Sequence, residues 1–125
     1  MNKIHTDKAP AAIGPYSQAM ELGGLIFTSG QIALDPATGQ PVGSDITAQT
    51  RRVMENLSAV LAAAGSDCAH VLKTTCFLAD MADFAAFNAV YGEFFPGCPA
   101  RSCVAVRELP KGMLCEVEAV AVKAQ

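Results

Sequence analysis

No stretch of the 125-residue sequence approaches the ~18 uninterrupted apolar residues that a membrane-spanning helix needs. The opening MNKIHTDKAP has no apolar run after its lysine, so no signal peptide is expected there, and intracellular, cytoplasmic residence is the expectation. Aromatic residues are 6% of the chain, and its nine Lys and Arg are scattered. Only Arg51 and Arg52 are adjacent. The basic stripe with interleaved aromatics that marks a nucleic-acid binder is therefore missing. The five cysteines (68, 76, 98, 103 and 115) include no CxxC pair, and an odd number without signs of secretion favours reduced thiols over disulfides. His5 and His70 stand far apart, so no clustered set of metal ligands is read from the sequence. Internal repeats and low-complexity segments are also missing.

What is present is apolar. Hydrophobic residues make up 51% and charged residues only 17%, with a formal net charge of -3. The length fits one domain, 1–125, with a modest core. A small monomer has a large surface for its volume and needs more polar residues than this. Surface buried against other subunits accounts for the excess.

Pro10, Gly14 and Pro15 forbid long regular structure near the N-terminus, apart from a short strand near Lys3–Thr6. SQAMEL and LIFTSGQIA read as two strands joined by Gly23-Gly24. Ser44 or Asp45 caps a helix whose Ile46, Thr50, Val53, Leu57, Leu61 and Ala64 follow helical spacing, and Gly65 stops it. HVLKTTCFLA is a β-branched strand. Asp80 or Asp83 opens a second helix that ends at Pro96-Gly97, and PARSCVAV and LCEVEAVAV supply the last two strands. The order β-β-α-β-α-β-β gives one sheet with two helices, which cover one face. Much of both faces of the last strand is apolar, so the other face is expected to meet another subunit.

Within these last two strands lie one arginine and two glutamates. Treating 100–106 and 114–120 as an antiparallel hairpin around RELPKG, with Arg107 opposite Gly112, sets Cys103 against Glu116 and Arg101 against Glu118. Arg101, Cys103, Glu116 and Glu118 then share one face, while Ser102, Val104, Val106, Cys115 and Val117 lie under the helices. Two readings of this polar group stay open. One is a structural Arg–Glu pair that sets subunit register. The other is a small site at a subunit boundary, where a guanidinium holds an anion and a carboxylate transfers protons.

PARSCVAV and CEVEAVAV, preceded by IGPYSQA and FTSGQI, resemble the RidA (YjgF-like) reactive intermediate/imine deaminase family, in order and over roughly residues 8 to 123. The resemblance implies an α+β, chorismate-mutase-like domain: one mixed sheet with two helices on one face, assembled as a homotrimeric barrel with clefts between subunits. It implies hydrolysis of 2-imino acids or their enamine tautomers, such as 2-iminopropanoate and 2-iminobutanoate, to 2-oxo acids and ammonia, without metal or organic cofactor. Arg101 matches the residue that grips the substrate carboxylate, and Glu116 the one that orients and deprotonates water. Cys103 matches a cysteine whose backbone carbonyl helps hold that water, and Glu118 a structural acid. Tyr16 matches a tyrosine whose ring closes the pocket, and Ser29 and Gly30 match positions near the ligand, where a missing Cβ lets the Gly30 N–H approach a carboxylate. Asn88 stands in a helical stripe with Phe84, Tyr91 and Phe95, and two readings of it stay open: its hydrogen-bond partners are structural, or it reaches the site. The competing reading is a non-catalytic binder of small 2-oxo acids or related carboxylates, which would need Arg101 but not Glu116.

Overall fold

The computed structural model describes residues 1–124. Among them are strands β1 (Asn2–Ile4), β2 (Ala19–Leu22), β3 (Leu25–Thr28), β4 (Val71–Leu78), β5 (Ala100–Ala105) and β6 (Cys115–Val122), and helices α1 (Ile46–Ala63) and α2 (Phe84–Phe94). The strands form one mixed sheet in the order β1-β2-β3-β6-β4-β5. This is the α+β arrangement expected, including the short first strand.

Local chemistry sets the helix ends. Asp45 caps α1 by accepting a hydrogen bond from the Ala48 N–H at 2.8 Å. At its other end the Ser66 N–H reaches the Leu61 carbonyl at 2.8 Å and the Gly65 N–H reaches Ala62 at 3.0 Å. That double closure requires a left-handed residue after the cap, and Gly65 supplies it with φ of 82°. Asp80 caps the short 3-10 turn Met81–Asp83 that leads into α2.

Both helices pack on the same face of the sheet. Val53, Met54, Leu57, Val60 and Leu61 of α1 and Phe87 of α2 are buried against Ile26, Cys76, Cys115, Val117 and Ala121 of the sheet. On β6 the odd-numbered residues 115–121 are buried, while Glu116, Val120 and Val122 are partly exposed and Glu118 is exposed. The opposite face carries Leu25, Phe27 and Val104, each at least 39% exposed, with Phe77, Val120 and Val122 alongside. Among the described residues nothing covers that apolar face.

The last two strands do not form the expected hairpin. β5 pairs parallel with β4, and β6 pairs antiparallel with β4 on its other side and with β3. The cause is the connection through α2. A strand that returns beside its predecessor after a helical crossover must run parallel to it. β5 therefore takes the outer edge of β4, and β6 takes the remaining inner slot. The link between them passes over the end of β4, where the Val106 N–H donates to the Leu78 carbonyl and the Ala79 N–H to Leu114.

This register reassigns the faces. Arg101 lies opposite Thr74, which lies opposite Ala119. Cys103, Cys76 and Val117 form the next such row, so Arg101 and Cys103 are on the helix face. Glu116 lies opposite Phe77, and Glu118 and Ser102 lie opposite Thr75, all on the uncovered face. Of the residues expected under the helices, Cys115 and Val117 are there, whereas Ser102 and Val104 are on the other side. Directly opposed residues share a face, so an intervening strand and a parallel partner overturn a pairing that counting across a turn suggests.

Leu57 is fully buried at the centre of this core. Leu57→Ala is expected to cost about 2–5 kcal/mol, from lost transfer energy and the cavity left behind. Urea denaturation would register it as a lower midpoint; a loss under about 1 kcal/mol would place the centre of the core elsewhere.

Candidate functional site

The first of two polar assemblies lies where β3 ends. The Ser29 N–H donates to the Gln18 carbonyl at 2.9 Å, toward β2, and the Ser29 hydroxyl to the Ser17 carbonyl at 2.6 Å. Two residues later Gln31 pairs both ways with Val117 of β6, at 2.9 and 3.1 Å. Pulled to opposite sides, the backbone is held with Gly30 against the Glu116 side chain. A Cβ on Gly30 would lie 2.8 Å from the Glu116 carboxyl carbon, so any larger residue here must displace that carboxylate. The glycine was read as allowing its N–H to approach a ligand; its immediate consequence is room for Glu116.

Two buried amides brace this segment. Gln18 accepts from the Thr6 N–H at 2.7 Å and donates to the Pro10 carbonyl at 2.8 Å, which fastens the N-terminal loop. Asn56 of α1 donates to the Ile32 and Leu34 carbonyls at 3.1 and 2.9 Å. Between these braces opens a cavity of about 410 Å³, within the size range of small-molecule sites. Tyr16, Ser29, Gly30 and Glu116 all line it, together with Lys111 and Gln31. Lys111 holds φ of 57°, unusual for a non-glycine residue, at the turn entering β6. Only neighbours brought close by folding distinguish it from an ordinary loop lysine, and it went unread in the sequence.

Glu116 is half-buried and takes part in no side-chain hydrogen bond or ion pair among the described residues. Burial pushes its pKa above the ordinary carboxylate value, and the nearby Glu118 adds to the shift. A carboxylate displaced in this direction is a better proton acceptor than one free in water.

The second assembly is on the helix face at the β5 edge. Arg101 donates from Nη1 to the Asn88 Oδ1 at 2.7 Å. Its guanidinium carbon lies 4.8 Å from the Tyr91 ring centroid and 5.5 Å from that of Phe84. Among the described residues no carboxylate pairs with it. Asn88, Phe84 and Tyr91 were legible as one helical stripe, but the contact of both rings with Arg101 was not. Cys103 stands two residues along the same strand face. Burial raises its thiol pKa, and this outweighs the opposing pull of Arg101, so the side chain is a poor nucleophile.

Sequence reasoning thus found members of both assemblies but expected Arg101, Cys103 and Glu116 on one face. Within one chain they are on opposite faces, and Arg101 is absent from the cavity that holds Glu116. No metal-ligating cluster of three or more His, Cys, Asp or Glu occurs among the described residues.

A family model described as Endoribonuclease L-PSP matches residues 6–123. The chain is 54% identical over 125 residues to a RutC family protein of Haemophilus influenzae, covering 96% of this chain and 95% of that one. It is 49% identical over 124 residues to a protein of Salmonella typhimurium named 2-iminobutanoate/2-iminopropanoate deaminase, covering 96% of each. Its structure resembles that of Escherichia coli TdcF with bound serine, with a TM-score of 0.94 and 44% identity over 99% of this chain and all of that one.

If burial raises the Glu116 pKa in the folded state, its negative charge opposes folding at neutral pH. In an Arg101→Ala background, which removes any guanidinium a neighbouring copy could bring, Glu116→Gln should then melt higher than its parent at neutral pH. The difference should shrink as the pH falls and vanish below about 4.3, where the carboxyl is protonated in both folded and unfolded chains. Melting curves across that range test this; a difference independent of pH would contradict it.

Proposed function

The chain belongs to the endoribonuclease L-PSP (YjgF/RidA) family, and we propose that this member hydrolyses 2-imino acids, such as 2-iminopropanoate and 2-iminobutanoate, to 2-oxo acids and ammonia at sites formed between the subunits of a homotrimer. The observation that carries the reading is the separation of two incomplete assemblies. Arg101 holds a free positive charge on one face, and Glu116 holds an uncompensated carboxylate in a cavity on the other. One chain has no means of bringing them together. A second copy, laid against the exposed apolar face, offers its own Arg101 to the Glu116 cavity of the first. A cyclic arrangement of three copies repeats that contact without leaving an open end. The deaminase name of the Salmonella typhimurium relative supports the choice of substrate.

Each residue then has a chemical task. The planar Arg101 fork grips the substrate carboxylate and keeps its charge at any ordinary pH. That fixes the imine carbon near Glu116. Glu116 takes a proton from a water molecule as its oxygen adds to the carbon of the N-protonated imine, giving a carbinolamine. The carboxylic acid so formed gives that proton to the nitrogen. The C–N bond breaks, ammonia leaves, and Glu116 accepts the hydroxyl proton as the C=O of the 2-oxo acid forms, then passes it to the departing ammonia. Tyr16 and Ser29 shape the wall around the reacting carbon, Gly30 leaves room for the carboxylate, and Asn88 orients Arg101. The Cys103 backbone carbonyl, rather than its thiol, helps hold the water.

Two variants that are each inactive test both the chemistry and the assembly. Arg101→Ala and Glu116→Gln should each lose the acceleration of ammonia release from enzymatically generated 2-aminoacrylate. Coexpressed in equal amounts, they should regain about a quarter of parental activity, because each mixed trimer contains one site with both intact residues. No recovery from demonstrably mixed trimers would exclude sites shared between subunits. If Glu116→Gln retained full activity, a role as base would be ruled out, and Arg101-dependent binding of 2-oxo acids alone would become the better reading.

A further inference from the structure

We infer that Tyr91 and Phe84 are positioning residues for Arg101, holding its guanidinium by their ring faces so that its charge and outer N–H groups stay available to a carboxylate. The inference rests on the reading of Arg101 as an anion anchor. An arginine at a sheet edge has a long flexible side chain and must be held to bind with fixed geometry. An acidic partner would hold it but would also neutralise it and occupy the N–H groups a ligand needs. Here the partners are uncharged. The guanidinium carbon lies 4.8 Å from the Tyr91 centroid and 5.5 Å from that of Phe84, both within the ~6 Å reach of a cation–π contact. Rings attract a guanidinium through its flat side and leave its N–H edge unused. The one hydrogen bond it makes among the described side chains goes from Nη1 to the neutral Asn88 Oδ1 at 2.7 Å.

Tyr91 is itself fixed. Its hydroxyl is 2.7 Å from the Thr74 hydroxyl in the interior. Its ring packs at a tilt against Phe95, with centroids 4.6 Å apart, and contacts Phe87 at 5.8 Å. Thr74 is also the residue directly opposite Arg101 on β4. The same threonine therefore sets the Arg101 backbone through strand register and the ring over its head group through a hydroxyl contact. Strand pairing is thereby tied to guanidinium orientation.

Three variants and two readouts test this. Tyr91→Leu should raise the Kd for 2-oxobutanoate and the KM for imine about tenfold, the scale of a desolvated cation–π contact, with a much smaller change in kcat. Tyr91→Phe, which keeps the ring, should recover most of that loss. Val90→Ala is the structural control, since Val90 is buried on the same helix and is not among the residues holding Arg101. It should lower Tm without changing Kd. The Arg101 Nε–H NMR resonance reports the ring without any ligand. It should be shifted upfield by the ring current in the parent and in Tyr91→Phe, and return toward its ordinary position in Tyr91→Leu. An unchanged resonance in Tyr91→Leu, or an equal loss of binding in Val90→Ala, would overturn the inference. The expected resonances in a parent that binds no 2-oxobutanoate would support the positioning role and count against the deaminase reading alone.

Discussion

The crossover from β4 through α2 to β5 constrains everything else in the molecule. Because a helix separates the two strands, they run parallel, and β5 is confined to the sheet edge. β6 then fills the gap between β4 and β3. These pairings decide which side each alternate residue faces. They direct Arg101 toward α2, where Asn88, Phe84 and Tyr91 meet it, and Glu116 toward the uncovered face. Moving β5 by one residue would exchange the two faces of that strand and take Arg101 away from its aromatic neighbours.

The energetic consequence is an unusual pair of charges. Partly buried charged groups normally find partners, because desolvation is otherwise uncompensated. Arg101 has a neutral amide and two ring faces, while Glu116 has a close glycine and a cavity lined by both polar and apolar side chains. Neither is placed as core stability alone would require. The buried interior is otherwise well satisfied: Gln18 and Asn56 are fully engaged in bracing the loops around the cavity. Arg101 and Glu116 are thus two partly buried charges without an oppositely charged partner among the described residues.

Much of this was legible in the sequence because it rests on short-range rules. Helical spacing from Ile46 to Ala64, the Asp45 cap and the Gly65 stop all depend on residues a few positions apart. Tyr16 and Gly30, singled out by family resemblance rather than by any local rule, both line the cavity. The pairing of the last two strands was misread because RELPKG resembles a turn, and nothing local reveals that β4 lies between its ends. Lys111 was overlooked for a related reason: its importance comes from the cavity it borders, which exists only once distant loops meet.

The sequence by itself determined the element types, their order, and the excess of apolar residues over what one small sheet and two helices can bury. It also determined which residues carry charge in the last strands. Tertiary structure alone decided which strands are neighbours, and hence that Arg101 and Glu116 of one chain face apart. The physical reason is that side-chain alternation along a strand is a local property, whereas the face a strand presents is set by the partner it hydrogen-bonds, and here that partner lies far away in the chain.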